Sequence, residues 1–574
     1  MAPSIYTFGP FELDVEAYQL RRNGVPVRLE HRPMALLLCL LEQPGKLVTR
    51  EDIVDRLWGR DVFVDVEAGI HTAIRKIRRA LGDSPSQPAY LETVPGKGYR
   101  FAGDVKASPT APPRTCVAVL PVTVLDSGPD SQYLADGITE EVIAALGQSA
   151  PGHIRVIGRT TMMRYRGAQS LSEIASEVRA DFLVESSLRS DSDAIRLVAR
   201  LLGARDQAQL WCGTFDGERR HSVFALQRQL SLAIAGQLQE QLLPGTETFS
   251  RRQPAHPEAY DLYLRGRYLW HQLSPDTTRR AIEHFQRAAA LDPNYALPWA
   301  GIAVSIAASP ITGDAPVLAA LDPARHAAAQ AARVGPGLAE THTAAGFVQF
   351  WLEWDLGAAE DSFRRAIRID GSDALAHRTL AIVLAYQQRA AEAETAARTA
   401  CELDPLNAAN FALAAQVAFF ARQWPRAAAV ARRAVEIDPG HWVAHLQLAQ
   451  AAERLGDYET ALRALAGAEP FCGNNSKVAG LRGFIHAVTS ESAKALEILD
   501  QLAARRASQR FVPPYSEALI WLGLRDFDQT FRCLEQALAV RDVHLNFLLA
   551  DAKWDPVRSQ PGFSDLLERC GFRR

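Results

Sequence analysis

The sequence of 574 residues has no C-x-x-C pair, no long apolar run and almost no net charge. Its seven cysteines stand singly, which predicts reduced thiols packed as small apolar side chains. The longest apolar run, Met34 to Leu41, is far shorter than the roughly 18 residues that cross a bilayer. The N-terminus lacks the basic and apolar regions of a secretory signal. We therefore expect a cytoplasmic protein with no membrane partner.

Recognisable catalytic motifs are also missing. The sequence has no phosphate-binding loop, no dinucleotide-binding glycine pattern and no serine nucleophile elbow. His441 and His445 stand four apart but lack the glutamate and the third ligand of a zinc site. The acids that begin with Asp136 and include Glu140 and Glu141 could hold a cation, but a turn with acids at the positive end of a helix is the favoured interpretation. We expect no enzyme activity, no cofactor and no metal site.

The composition that is present, 48% apolar and 22% charged, is that of a globular protein, and its length predicts several domains. Residues 1–103 alternate strand patterns with three helical patterns, and residues 104–114 form a proline-rich linker. Residues 115–245 alternate β-rich runs with helical patterns, as in a small α/β domain. Residues 257–574 are helical and rich in alanine. The predicted fold class is multidomain, α+β and all-α.

The helical segment repeats itself. Short endings such as LDP at 291–293 recur with their last residues at 293, 336, 371, 405 and 439, which are 43, 35, 34 and 34 residues apart. The tetratricopeptide repeat has a period of 34 residues, and its two helices cross closely through one small and one bulky residue. The small slot holds Ala281, Ala359, Ala393 and Ala427, and the bulky slot holds Phe285 and Phe363. We predict an α-solenoid, with a degenerate hairpin around Gly456 and Ala461 and a capping repeat from Pro513.

One helical pattern in the first segment has a basic face. Residues 67–81 place Ile70, Ile74, Ile77 and Leu81 on one face, which predicts that this face is buried. The residues of the opposite face include His71, Thr72, Arg75, Lys76, Arg78 and Arg79. The preceding helix, with Thr49 and Asp52 as a capping-box variant, completes a helix-turn-helix order. This order favours contact with double-stranded DNA over a merely solvated cationic surface.

A hairpin with a glycine-rich tip follows in YLETVPGKGYRF, where Lys97 and Arg100 add positive charge. Together with LVTREDIVDRLWG and IRKIRRALGD, this hairpin resembles the end of an OmpR/PhoB-type winged-helix domain, and the resemblance extends over nearly all of residues 6–103. It implies that the third helix enters the major groove and that the hairpin, or wing, lies at the minor groove. The arginine that the family often carries before the wing glycine is replaced here by Pro95, and Lys97 is the candidate to take its place.

The resemblance also implies roles for single residues. By position, His71, Thr72 and Arg75 would face base edges, and Lys76, Arg78 and Arg79 would lie near phosphates. Arg75 is the preferred base contact, because a guanidinium can bind guanine at two atoms. The resemblance further implies that the loop GRDVFVDV contacts RNA polymerase.

The order of the domains extends the resemblance. No receiver domain stands before the winged helix, so control by phosphorelay is not expected. A winged helix without a receiver resembles the bacterial CadC/ToxR-type regulators, in which a membrane helix follows, whereas a proline-rich linker follows here. The runs VAVLPV, ADFLVESSL and QLWCGTF resemble a TolB-like middle domain, and the whole chain resembles the soluble HilA-type regulators, which combine a winged helix, a TolB-like domain and tetratricopeptide repeats. This resemblance favours activation of transcription.

These features predict a sequence-specific DNA-binding transcription regulator. Its repeat surface would bind a protein or peptide partner, or a second protomer to give a homodimer. One alternative is a repeat scaffold for protein partners whose winged helix no longer binds DNA, although the intact basic residues argue against it. The other is an enzyme with regulatory repeats, for which the sequence offers no recognisable site.

Overall fold

The computed structural model describes residues 5–14, 19–22, 25–27, 29–57, 66–84, 88–103, 105–108, 115–125, 131–149, 154–167, 170–190, 194–218, 233–234, 256–271, 275–473, 475–508 and 510–572. The chain divides into two compact units, Met1–Arg114 and Thr115–Arg574. The fold-class prediction is confirmed, since a winged helix is followed by a small sheet region and a large helical repeat region.

The described residues of the first unit form two antiparallel sheets and three helices. One sheet has the order β4-β3-β2-β1-β8, formed by β1 (Ile5–Phe8), β2 (Phe11–Asp14), β3 (Gln19–Arg22), β4 (Val25–Val27) and β8 (Lys106–Ser108). The other has the order β5-β7-β6, formed by β5 (Leu47–Thr49), β6 (Leu91–Val94) and β7 (Gly98–Phe101). The helices are α1 (His31–Leu41), α2 (Arg50–Leu57) and α3 (Val66–Leu81). Strand β8 lies within the predicted linker, so that part of it belongs to the sheet.

Helix α3 buries the face that the sequence pattern predicts. Ile70, Ile74, Ile77 and Leu81 are at most 3% exposed. They join one core with apolar residues of α1 and with aromatic residues of the sheets, where Phe8 packs edge-on against Phe101. Burying four apolar side chains on one stripe fixes the rotation of α3 about its axis and leaves its basic face outward.

The second unit begins with a mixed sheet of order β11-β9-β12-β13-β14, with β10 also paired to β12. Its strands are β9 (Thr115–Val119), β10 (Thr123–Val124), β11 (Ile154–Val156), β12 (Phe182–Ser190), β13 (Ala194–Gly203) and β14 (Gln209–Glu218). The helices between them are α4 (Ser131–Ser149), α5 (Arg159–Met162) and α6 (Leu171–Val178). Strands β9, β11 and β12 are parallel, and β12, β13 and β14 form an antiparallel meander. We call residues 115–218 the middle domain.

Eight helical hairpins are present in the described residues from 257 to 539. Their helices are α7 (Pro257–Trp270) with α8 (Pro275–Leu291), α9 (Ala296–Gly313) with α10 (Val317–Val334), α11 (Ala339–Phe347) with α12 (Leu356–Ile369), α13 (Ala374–Tyr386) with α14 (Ala390–Leu403), α15 (Ala408–Phe420) with α16 (Trp424–Ile437), α17 (Trp442–Arg454) with α18 (Tyr458–Ala468), α19 (Ser476–Val488) with α20 (Ser492–Ala507), and α21 (Pro514–Gly523) with α22 (Phe527–Ala539). We call the first helix of each hairpin its A helix. The seventh hairpin, α19 with α20, is absent from the sequence-based prediction.

The predicted contact residues lie where the two helices of a hairpin cross. Ala281, Ala359, Ala393, Ala427 and Ala461 are all fully buried, and Phe285 and Phe363 are at most 1% exposed. The ring of Phe285 lies so close to Gly266 that a Cβ there would approach it to 2.5 Å. Helix α9 is long and apolar enough to span a membrane, with a mean hydropathy of 1.3, and half of that stretch is buried in the protein.

The turns between hairpins share a hydrogen bond from an aromatic ring. In four of these turns, a ring nitrogen bonds to the carbonyl oxygen of the last residue of the repeat ending, at position 293, 336, 371 or 439. The ring belongs to the residue six positions later, Trp299, His342, His377 or His445, and the distance is 2.9 to 3.2 Å. The residue before this carbonyl is an aspartate, Asp292, Asp370 or Asp438, in three of the turns. Its carboxylate accepts a hydrogen bond from the backbone N–H of the residue two positions later. These bonds satisfy backbone groups that the helix ends leave without partners.

The C-terminal residues cross the A helices instead of only capping the array. After α22, two 3-10 helices, Val543–Leu549 and Ala552–Val557, precede α23 (Pro561–Arg569). Asn546 bonds to the carbonyl of Phe350, and Lys553 bonds to Gln450. Trp554 is fully buried. The C-terminal residues therefore do more than cap the array. They cover part of the repeat surface that we expected to bind a partner.

The middle domain is docked against the turns between the hairpins. Gly158 N donates to the carbonyl of Leu403 at 2.6 Å, and Thr161 N donates to a carboxylate oxygen of Asp404 at 2.7 Å. Arg164 donates to the carbonyl of Ile437. The partners in each of these bonds are more than two hundred positions apart in the sequence. The segment around α5 therefore connects the middle domain to the repeats.

Candidate nucleic-acid interface

The basic face of α3 is the centre of the candidate interface. His71, Thr72, Arg75 and Arg79 are exposed, and Lys76 and Arg78 are half-buried. Glu67, the acid at the start of this helix, is paired with Arg50 at 2.5 Å. That pair neutralises the carboxylate, and Lys76 is itself paired with Glu30, so the positive charge without an ion pair on the described outer face of α3 is that of Arg75, Arg78 and Arg79.

Helix α3 is tied to the wing at two points. One guanidinium nitrogen of Arg78 donates to the carbonyl of Leu91 and to the hydroxyl of Thr93, both at 2.9 Å. After α3, Gly82 takes a positive φ of 66° and Asp83 turns back to accept N–H groups of Ala89 and Leu91. Both bonds reach strand β6, so the wing is held in a fixed relation to the basic helix.

A third contact joins the wing to the outer face of α3. The hydroxyl of Tyr99, on β7, lies 3.2 Å from Nδ1 of His71. Tyr99 is 2% exposed, and this burial raises the pKa of its hydroxyl while the nearby Arg50 and Arg78 lower it. His71 is thus oriented by the wing before any DNA is bound.

The wing closes tightly on the strand before α2. Gly98 pairs with Thr49, and a Cβ at Gly98 would lie 2.1 Å from the carbonyl oxygen of Val48. Gly96, at the tip, has a φ of +74° and no neighbour within 4 Å of its Cβ position. The first glycine is therefore required by packing and the second by the backbone conformation.

The predicted capping box is confirmed. Asp52 N donates to the Thr49 hydroxyl at 3.1 Å, and Thr49 N donates back to the Asp52 carboxylate at 3.1 Å. The Thr49 hydroxyl also donates to the Asp52 carboxylate at 2.6 Å, and this bond, followed by the one from Thr49 N, lowers the pKa of Asp52. Helix α2 begins at Arg50, directly after this cap, which brings Arg50 next to the carbonyl of Lys97 in the wing.

The predicted DNA-binding residues differ in whether their side chains are already paired with other residues of the protein. Lys76 is paired with Glu30 at 2.6 Å, and Arg100 is paired with Glu92 at 3.2 Å. Arg75 and Arg79 have no ion pair or hydrogen bond with any residue that the structure describes in the first unit. Lys97 is exposed at the tip of the wing. Arg78 is occupied by the wing, so the geometry gives it a positioning contact in addition to the predicted approach to phosphates.

Sequence reasoning missed three contributors: Arg50, Glu30 and Tyr99. Glu30 contacts Lys76, Tyr99 contacts His71, and Arg50 neutralises Glu67 of the same helix. Each contact comes from a distant part of the chain, and no periodic pattern predicts it. Most of the loop GRDVFVDV, for which a polymerase contact was predicted, lies outside the described residues.

The other candidate residues have structural contacts. His441 accepts the N–H of Ala444 at the start of α17, and His445 bonds to the carbonyl of Pro439. The turn interpretation of Asp136 and Glu140 is wrong, because α4 begins at Ser131 and both residues lie inside the helix. Among the described residues, no group of three or more His, Cys, Asp or Glu side chains is placed to hold a metal ion.

Comparison with known proteins locates two family matches in the chain. Residues 24–101 match the family described as "Transcriptional regulatory protein, C terminal", and residues 419–483 match the tetratricopeptide repeat. The first match contains every residue of the candidate interface. The recognition of an OmpR/PhoB-type winged helix with tetratricopeptide repeats is thereby confirmed.

Three curated relatives illustrate the similarity. The chain is 26% identical over 368 residues to "Putative adenylate cyclase 3" of Rhizobium meliloti, covering 62% of this chain and 54% of the relative. It is 24% identical over 307 residues to "Transcriptional regulator HilA" of Salmonella typhi, covering 52% of each. It is 33% identical over 95 residues to "Sensory transduction protein RegX3" of Mycolicibacterium smegmatis, covering 17% of this chain and 41% of the relative. The chain thus spans about half the length of the first two relatives.

Proposed function

We propose that this chain, which carries an OmpR/PhoB-type winged helix and tetratricopeptide repeats, is a transcription regulator that binds specific sites in double-stranded DNA. The observation that supports the proposal best is the exposed pair Arg75 and Arg79 on a helix locked to its wing. A helix in the major groove reads bases only if its orientation is fixed, and Arg78, Asp83 and Tyr99 fix it.

In the proposed complex, Arg75 contacts a base edge, and Arg79, Lys76 and Lys97 contact phosphates. If four to six phosphates are neutralised, log affinity falls against log salt with a slope of about −4 to −5. Arg75→Ala relaxes specificity at one base pair and leaves that slope nearly unchanged. We also propose that the protein dimerises on a repeated DNA site, recruits RNA polymerase and activates transcription. Its proposed location is the cytoplasm.

The test is selection from a random DNA library with the full chain and with the double variant Arg75→Ala/Arg79→Ala. These two side chains are exposed, so the variant keeps its fold. Arg365→Ala/Arg368→Ala, on the exposed side of α12, is the matched control. An enriched motif that the first variant loses and the control keeps supports the proposal. A motif that both variants keep places the interface elsewhere, and no enrichment with the unaltered chain favours the scaffold alternative.

We further propose that the chain acts without catalysing a reaction. One relative is named a putative adenylate cyclase, and that similarity covers 54% of the relative. Incubation of the full chain with ATP and divalent cations checks this directly. Formation of cyclic AMP above the rate without protein would overturn the non-enzymatic assignment.

A further inference from the structure

The last strand of the middle domain, β14, lies at the edge of its sheet. Within the described residues it pairs with β13 and with no other strand. The eight residues 211–218 pair regularly with residues 201–194, and the one shift of register lies at the start of the strand. The backbone N–H and C=O groups on the other side of β14 thus have no strand partner that the structure describes. A regular edge of this length is a template for pairing with another strand.

Edge strands often carry features that prevent such pairing, and β14 has few of them. The strand contains no proline and no lysine. Its only charged residues are Asp216 and Glu218, and Asp216 is paired with Arg196 of β13 at 2.6 Å. Cys212, Thr214 and Asp216 are exposed on the outer face of the strand. The edge is therefore open to another strand and little protected by charge.

The inner face of β14 alternates large and small residues. Trp211 and Phe215 alternate with Gly213 and Gly217, and both rings are half-buried against the core of the second unit. A Cβ at Gly213 would lie 2.4 Å from the Trp211 ring, so the missing side chain makes room for an aromatic ring. This spacing is self-complementary. When two copies of the strand run antiparallel with Thr214 at the centre, each ring of one copy lies opposite a glycine of the other.

The outer face of β14 fits the same register. Thr214 would lie opposite Thr214 of the second copy, and Cys212 opposite Asp216 of the second copy. Cross-strand threonine pairs are favourable, whereas like charges directly opposite each other destabilise a sheet. Both acids of the strand, Asp216 and Glu218, lie in its C-terminal half. Antiparallel pairing therefore brings them opposite uncharged residues.

We propose that β14 is the surface through which two copies of this chain associate. The two strands pair antiparallel about a two-fold axis at Thr214, so that the sheets of the two middle domains become one continuous sheet. The pairing gives partners to the outward backbone groups and covers more of Trp211 and Phe215. This inference names the interface of the dimer proposed above, and it rests on that proposal for its role in DNA binding.

The first test is sedimentation equilibrium of the full chain without DNA, which we expect to show a reversible dimer. Thr214→Lys brings two ammonium groups together at the axis and weakens the dimer by about 10-fold or more. Thr123→Lys, at an exposed threonine of β10 in the same sheet, is the matched control and leaves the dimer unchanged. The proposal is overturned if the unaltered chain stays monomeric at about 100 µM. It is also overturned if both lysine variants dimerise equally or both fail to dimerise.

A cross-linking variant tests the register without weakening the dimer. In a Cys212→Ser background, which removes the exposed thiol of the strand, Thr214→Cys places two thiols opposite each other across the axis. Opposite Cβ atoms are about 4.5–5.5 Å apart, so a short bis-maleimide linker joins the two chains. Thr123→Cys in the same background gives no such product. Absence of a cross-linked dimer with Thr214→Cys overturns the pairing. Neither measurement involves DNA, so failure here leaves the DNA-binding proposal to be decided by the selection experiment.

Discussion

Thr161 of the middle domain replaces a bond that Asp404 would otherwise make within its own turn. In the turns of Asp292, Asp370 and Asp438, the carboxylate accepts the backbone N–H two residues later. At Asp404 the carboxylate accepts Thr161 N instead, and Leu406 N donates to the Thr161 hydroxyl at 2.8 Å. The middle domain is thereby bonded into the repeat array at the turn of Asp404. Where the other turns have a tryptophan or histidine ring that bonds to the turn, this turn has Phe411, whose side chain has no hydrogen-bond donor.

Thr161→Val therefore weakens the docking of the middle domain. Valine keeps the shape but leaves Leu406 N buried without an acceptor, which costs about 1–3 kcal/mol. Amide hydrogen exchange of the full chain checks this, with faster exchange expected at residues 158–161 and 403–407. Thr395→Val, at an exposed position, serves as the control, and equal exchange in both variants would contradict the assignment.

Arg78 and Arg79 are neighbours in the sequence with separable effects. Arg78→Ala breaks the bonds to Leu91 and Thr93 and lowers the free energy of unfolding of the first unit by about 1.5–3 kcal/mol. Arg79→Ala leaves stability unchanged and reduces the salt slope of DNA binding by about one. Calorimetry and titrations at several salt concentrations measure the two quantities. Equal stability of the two variants would refute the positioning role of Arg78.

Glu30→Gln is expected to strengthen DNA binding. The carboxylate of Glu30 holds the Lys76 ammonium at 2.6 Å and would also repel phosphates. An exposed ion pair contributes only about 0–1 kcal/mol to stability, so the fold tolerates its loss. Titration of the full chain with its selected DNA site checks this, with Glu51→Gln, at another exposed acid of the same unit, as the comparison. Unchanged or weaker binding would show that Lys76 does not reach DNA.

Gly98→Ala should destabilise the wing. The new Cβ would meet a backbone carbonyl at 2.1 Å, and such overpacking costs about 1–3 kcal/mol. Gly96→Ala, at the open tip, meets no neighbour, and only its positive φ of 74° opposes the change, at about 1–2 kcal/mol. Thermal unfolding ranks the two. Tyr99 then loses its contact with His71 in the first variant only, which DNA selection detects as altered specificity.

The second unit is expected to lose stability on acidification. Burial holds the pKa of His441 at about 4, with Arg378 also lowering it and Asp438 raising it. Below the ordinary value of about 6.5, the unfolded chain binds a proton that the folded chain does not, so stability falls by about 2 kcal/mol between pH 7 and pH 5. Urea unfolding at both pH values measures this.

His441→Asn keeps an oxygen to accept the N–H of Ala444 and should reduce that pH dependence. His326→Asn, at an exposed position, is the control. His271, whose pKa is also lowered by burial, supplies part of the remaining dependence. The same pH dependence in all three proteins would exclude the contribution of His441.

Local features of the fold could be predicted from the sequence because they repeat at short spacing. The buried stripe of α3, the Thr49 cap and the alanine slots each depend on residues within one helix or one hairpin. The hairpin α19 with α20 was missed because it lacks the ending that marks the others. The turn prediction at Asp136 failed because α4 continues through Asp136 and Gly137.

The contacts that organise the sites could not be predicted in this way. Thr161 meets Asp404, and Arg50 meets Glu67, through pairs of single polar residues from separate elements. A single polar residue forms no periodic pattern from which its partner could be predicted, so only the folded structure reveals the pair. The residue types of the candidate interface were foreseeable, but which of them are free to contact DNA was not.

The C-terminal crossing of the A helices has a consequence for biosynthesis. Asn546, Lys553 and Trp554 leave the ribosome after all eight hairpins, yet they cover surfaces of hairpins made far earlier. Until they arrive, those apolar surfaces face water in a nascent chain and invite association with chaperones or other chains. A solenoid usually folds by adding one repeat to the next, but here residues that follow the eighth hairpin complete the burial of the middle hairpins.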